Sequence, residues 1–237
     1  MELIDEIEDL LAEIEQTFRD MQSTVNSVLA SVPDWLGWVR DRIVDAWNYF
    51  CEKTVEFWAY LEETVGREIG NPTRLSATAD RWATEIGGPV SEQVAVAEAG
   101  NLEADNAWSG DAAEAYRERL GLHKAALTAV KTTLSTGIRG ALDSVQSALE
   151  VYFNVIISAL VGLIGVLIGA LVSVAGGPTL VVGLAAAAVG ILAAITAIGL
   201  GRVYLESDCR SAKTTLEGLI NDSTAFGGNQ WPAGAVS

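Results

Sequence analysis

The chain has 237 residues and a formal net charge of -16, and that length suits a helical bundle plus a membrane element. Residues 1–70 hold 16 acids against 5 bases, residues 71–150 hold 11 against 7, and residues 151–237 hold 4 against 3. So acidic a first third argues against a nucleic-acid partner, whose affinity comes largely from Lys and Arg on phosphate, and against adhesion of that third to an anionic membrane surface. The start, Met1-Glu2-Leu3-Ile4-Asp5-Glu6, is the reverse of a basic signal-peptide leader, so secretion or membrane association without a cleaved signal peptide is expected. Leu3, Ile7, Leu10, Ile14, Thr17, Met21, Val25, Val28 and Val32 recur at steps of three and four. That spacing predicts an amphipathic helix with a coiled-coil-like seam and an acidic outer face. Ser31-Val32-Pro33-Asp34 ends it, because the residue before Pro avoids the α region, and Asp34 is the expected N-cap of a second helix. Leu36, Val39, Ile43, Trp47, Phe50, Thr54, Phe57, Leu61 and Val65 mark that helix. Its aromatic load (Trp35, Trp38, Trp47, Trp58, Tyr49, Tyr60) reads as core or subunit packing, with anchoring at a membrane interface as the alternative. Gly70-Asn71-Pro72 is the clearest domain boundary.

From Thr73 a third helical pattern runs through Leu75, Ala79, Trp82 and Ile86 to Gly87-Gly88-Pro89, where a kink or restart is expected, and resumes at Val90, Val94 and Ala97. After Trp108-Ser109-Gly110 a new helix starts, with Asp111 as the expected cap and Glu114 completing a capping box. Its stripe from Ala113 and Tyr116 to Val145 and Leu149 meets no strong breaker before Gly176, so the helix is expected to run into the apolar segment that follows.

Trp108-Ser109-Gly110 in a turn between two amphipathic arms, followed by Asp111-Ala112-Ala113-Glu114-Ala115-Tyr116, resembles the Trp-X-Gly (WXG) family of small helical-hairpin substrates of the bacterial type VII (ESX-like) secretion system. The resemblance covers residues 72–150, and Gly87-Gly88-Pro89 departs from the family's unbroken first arm. It implies export, with a second export element, Tyr-x-x-x-Asp/Glu, beyond the second arm. That pattern stands at Tyr204-Leu205-Glu206-Ser207-Asp208, after the apolar segment. Trp108, Gly110, Tyr204 and Asp208 are therefore the candidate export motif, and the apolar hairpin reads as an insertion before the second element. Tyr204 is also accounted for as an interfacial aromatic beside Arg202.

No charged residue occurs between Glu150 and Arg202. Each half of this stretch is long enough to cross a bilayer, and Gly176-Gly177-Pro178 is the expected hairpin turn. Gly162, Gly169, Gly176, Gly183 and Gly190 recur every seven residues, and Gly165 adds a Gly-x-x-x-Gly with Gly169. Such stripes let helix backbones approach in lipid, so they are expected either to zip the two arms or to join hairpins of several molecules. Two equal arms would return Tyr204 beside Tyr152 and Leu149. Val203, Leu205, Ala212, Leu216, Leu219 and Ile220 then suggest a short helix, and the remainder reads as a disordered tail in which Trp231 has no evident role.

The expected fold is all-α, with long helical hairpins and a two-helix transmembrane-type hairpin. Five segments are expected: an acidic hairpin (1–70), a WXG-like hairpin (71–150), the apolar hairpin (151–201), a short return helix (202–220) and a tail (221–237). One histidine, His123, and two distant cysteines, Cys51 and Cys209, supply neither a zinc spacing nor a disulfide framework. No catalytic constellation, metal site or cofactor motif emerges, so a non-enzyme is expected. The function that follows is an exported effector that inserts the hairpin into a membrane and forms a pore or lesion by Gly-mediated oligomerisation. The alternative is a resident, membrane-anchored helical scaffold of the producing cell. Expected partners are membrane lipid, further copies of the chain, and a helical chaperone or co-secreted protein.

Overall fold

A computed structural model describes residues 2–64, 70–97, 107–174, 179–221, 226 and 230–233. The expected turn Gly176-Gly177-Pro178 lies outside the described residues, as do 222–225, 227–229 and 234–237 of the expected tail. All regular structure among the described residues is helical. The chain divides into two compact units, Met1–Asn71 with Leu149–Leu205, and Pro72–Ala148 with Glu206–Ser237.

The first unit joins the acidic hairpin to the apolar one. Helix α1 spans Glu2–Ser31, and its seam residues Ile7, Ile14, Met21 and Val25 are all buried. Pro33 stops it, lacking the N–H that a helix interior requires. A 3-10 turn, Asp34–Leu36, follows, closed by the Leu36 N–H on the Pro33 carbonyl at 2.9 Å. Helix α2 then spans Gly37–Thr64 and buries Ile43, Phe50, Phe57 and Leu61. The expected cap at Asp34 is not formed: this residue lies inside the 3-10 turn, and no side-chain cap bond is made there. These residues belong to one hydrophobic core with Tyr152, Phe153, Ile156, Leu160, Leu163 and Leu167, and with Leu180, Leu184, Ala187, Ile191 and Ile198. The expected segments 1–70 and 151–201 are thus one packed body rather than two. Each has an apolar stripe that water disfavours, and each covers the other's.

The second unit is built on the arms that flank Trp108. The first arm comprises α3 (Pro72–Arg81), a π-helical segment (Trp82–Gly87) and α4 (Gly88–Val96). The expected kink or restart at Gly87-Gly88-Pro89 falls where this π segment gives way to α4, and the Gly88 N–H donates to the Ala83 carbonyl five residues back. The wider turn passes the proline, whose ring would clash with an α-helical carbonyl, without ending the arm. The second arm comprises α5 (Asp111–Ala129), a matching π segment (Val130–Thr136) and the start of α6 (Gly137–Val174). The two wide turns lie against each other, with the Ser135 hydroxyl donating to the Trp82 carbonyl at 2.8 Å. Lys131 Nζ to Ser91 Oγ at 2.8 Å also ties the arms.

As expected, α6 runs without interruption into the apolar segment, from Gly137 to Val174. Helix α7 spans Leu180–Asn221. The short return helix expected over 202–220 is therefore the end of α7 and not a separate element, because no proline interrupts 180–221. Gly199 and Gly201 lie within this helix, close to the Tyr60 hydroxyl and the Tyr152 ring.

Candidate functional site

Helices α6 and α7 are each long and apolar enough to cross a membrane. Only 33% of the most apolar stretch of the first and 39% of that of the second is buried. A core helix of a water-soluble fold hides most of such a surface; here Val151, Val161, Ile168, Val172, Val182, Val189 and Leu200 are exposed. The buried side of each helix is covered by the core shared with α1 and α2, and the open side carries no charge between Val151 and Gly201. One face of the hairpin is shielded, and the other is an exposed apolar surface.

The seven-residue glycine series divides between the two faces. On α7, a Cβ at Gly183 would lie 3.1 Å from the Ala170 carbonyl oxygen, and one at Gly190 would lie 2.8 Å from Val166 Cγ1. These two glycines bring the arms together. On α6, Gly162, Gly165 and Gly169 meet nothing within 4 Å. They line the exposed face and take no part in closing the hairpin. Gly176 lies outside the described residues. The return of the chain is visible at Gly201, where a Cβ would lie 3.0 Å from Val155 Cγ1 and 3.1 Å from the Tyr152 ring. Tyr204 follows one turn later at 70% exposure. Asp208 is one further turn along α7 and also exposed, so the pair shares a helix face.

The Trp108 turn explains its glycine. Gly110 has φ 102° and ψ 178°, a backbone region open essentially to glycine alone, and its carbonyl accepts from the N–H groups of Ala113 (2.9 Å) and Glu114 (3.1 Å). The expected capping box of Asp111 and Glu114 is not formed, because Gly110 occupies the cap position and Asp111 is already helical. The two acids sit instead in the first turn, where they complement the helix dipole. Trp108 is 43% exposed, its ring 5.7 Å from that of Tyr116, and Arg117 donates to its carbonyl at 3.0 Å.

Three arrangements escaped the sequence. Trp231 Nε1 donates to His123 Nδ1 at 3.1 Å, and the Phe226 ring lies tilted against the same indole at 5.9 Å, so Trp231 has a defined seat within the expected tail. The Tyr60 hydroxyl lies 3.2 Å from where a Gly199 Cβ would stand, which places this residue of α2 against α7. The aromatics of the 3-10 turn and α2 also divide: Trp47 and Trp58 pack against the core, whereas Trp35 and Trp38 are 79% and 68% exposed. Phe18, Trp47, Phe50, Cys51 and Trp58 line a shallow groove of about 310 Å³. Both cysteines are free thiols, and burial pushes each above the ordinary thiol range; Asp208 and Glu206 add to the rise at Cys209.

Fold and site together define an all-α protein with a partly shielded apolar hairpin of membrane-spanning length. Comparison with protein-family models, with curated proteins and with solved structures gives no match to this chain.

Proposed function

We propose that this chain is an exported, membrane-inserting protein whose helices α1 and α2 shield the apolar hairpin until a bilayer receives it. The reading rests on one observation: a charge-free helical hairpin has one side in a core with an acidic helical pair and the other side open. Shielding and insertion exclude each other. With α1 and α2 still packed on an inserted hairpin, residues such as Asp45 and Lys53 would stand at bilayer depth. Each Asp, Lys or Arg costs about 2.5–3.5 kcal/mol at mid-membrane. Release of α1 and α2 removes that cost, and their apolar seams then suit the headgroup boundary as amphipathic helices do. Once the hairpin is inserted, Gly162, Gly165 and Gly169 offer a backbone-close contact to a further copy of the chain.

Purified protein added to dye-loaded vesicles is expected to release the dye and to protect residues 151–201 from protease. No release and no protection over a range of pH and lipid composition would sink the reading.

Export is supported by the exposure of Trp108, Tyr204 and Asp208 and by the glycine-only backbone at Gly110. Trp108→Ala and Tyr204→Ala are each expected to abolish appearance in the culture medium at unchanged cellular expression. Normal secretion of both variants removes this part of the proposal and leaves insertion to stand alone.

A further inference from the structure

The first 20 residues carry 8 acids and a single base, which opposes contact of the acidic hairpin with a membrane, yet its most exposed aromatic side chains are two tryptophans, Trp35 and Trp38. Trp35 and Trp38 stand at the turn between α1 and α2, where Pro33 and the 3-10 turn Asp34–Leu36 reverse the chain. A tryptophan spends its apolar area best when buried and places its indole N–H best at a wet boundary. Two of them held in water at one tip are costly unless something meets them.

Register supplies the position of that tip within its unit. Tyr60 of α2 meets Gly199 of α7, and Gly70 meets Leu149 at the start of the apolar segment. Both contacts lie at the base of the apolar hairpin. From Tyr60 to Trp38 is about 33 Å at 1.5 Å per residue, and from Gly199 back to Leu180 is about 29 Å. Helices α2 and α7 contribute to one core over these lengths, from Val39 and Ile43 to Leu61 and from Leu180 to Ile198. On an alignment of α2 along α7 over these lengths, Trp35 and Trp38 stand level with the turn end of the apolar hairpin.

Charge is arranged to the same effect. No acid occurs on α1 after Asp20, about 16 Å from Ser31 on the helical rise. That exceeds the Debye length of about 8 Å at physiological salt. Between Met21 and Arg42 two acids, Asp34 and Asp41, face two bases, Arg40 and Arg42. The tip is charge-balanced while the rest of α1 is strongly acidic.

We infer that Trp35 and Trp38 form the first membrane contact, seating the tip at the headgroup boundary so that the turn end of the apolar hairpin enters first. The inference rests on the insertion reading above and assigns lipid as the occupant of this surface.

The test uses full-length protein, vesicles of phosphatidylcholine with phosphatidylglycerol, and the double variants Trp35→Ser/Trp38→Ser and Trp35→Phe/Trp38→Phe. Flotation measures binding, and protease protection of 151–201 measures insertion. Both side chains lie outside the core, so both variants are expected to keep the wild-type melting transition. The Ser pair is expected to weaken binding at least about tenfold, with protection per bound molecule unchanged, and the Phe pair to restore most of the binding. Equal binding by the Ser pair and wild type, with the hairpin protected in both, overturns the tip contact and spares insertion. A Ser-pair defect without protection in the wild type leaves the tip as a surface anchor and overturns insertion. Wild type that binds no vesicle overturns both.

Discussion

At the scale of single residues, the glycines carry the clearest division of labour. Gly183 and Gly190 sit where a side chain would strike the other arm, whereas Gly162 and Gly169 open onto empty space. Overpacking a well-filled contact costs about 1–3 kcal/mol, while an exposed substitution stays within about 0.5 kcal/mol. Gly183→Leu and Gly190→Leu are therefore expected to lower stability to urea by that larger amount, and Gly162→Leu and Gly169→Leu to leave it unchanged. On vesicles the ranking reverses in kind: the second pair is expected to bind normally and release less dye per bound molecule. Equal stability loss in both pairs would show that the stripe is one interface. The sequence displays these glycines as a single series because spacing fixes the azimuth on a helix but not the neighbour that azimuth meets. Trp35 and Trp47 pose the same difficulty, since helical spacing alone does not separate an aromatic in the core from one at a tip.

At the scale of elements, most boundaries were legible. Pro33, Gly70-Asn71-Pro72 and the Trp108 turn each carry a local stop or start signal, and the helices begin and end at or close to them. The continuity of α6 into the apolar segment was legible too, from the lack of any breaker before Gly176. What failed were sites decided by distant partners. Gly87-Gly88-Pro89 carries the local marks of a break but not the π geometry found there, in which Ser135, far along the chain, donates to the Trp82 carbonyl. A Cβ at Gly87 would come 2.6 Å from the Ser135 hydroxyl, so a larger residue there would displace that hydroxyl. Likewise the helix end read at Gly201 continues to Asn221. The mispredicted caps at Asp34 and Asp111 share another cause. A 3-10 turn takes up the first, and a positive-φ glycine takes the cap position ahead of the second.

At the scale of the molecule, the division of the chain sets the mechanism to be tested. Residues 1–71 and 149–205 make one unit although 77 residues separate them in sequence, and the stripe of α1 gives no hint of which surface it covers. That pairing turns the acidic hairpin from an independent module into a cover, and a cover predicts a gate. Fully burying each Phe, Ile or Leu side chain contributes about 1.5–3 kcal/mol, so a core including Ile14, Ile43, Phe50 and Phe57 keeps the cover closed in water. On the proposed reading, a bilayer offsets the loss by accepting the hairpin's exposed face along with the face that α1 and α2 release. The gate can be locked at the contact of Tyr60 with Gly199. In a Cys51→Ser/Cys209→Ser background, Tyr60→Cys and Gly199→Cys joined by a short bismaleimide should hold α2 on α7. The linked protein is expected to bind vesicles through its tip and to release no dye, while the same variant left unlinked releases as wild type does. Mass spectrometry of the linked sample separates true locking from incomplete reaction. Full release by quantitatively linked protein would mean that the hairpin acts with its cover in place. Its membrane path would then have to accommodate the charges of α2.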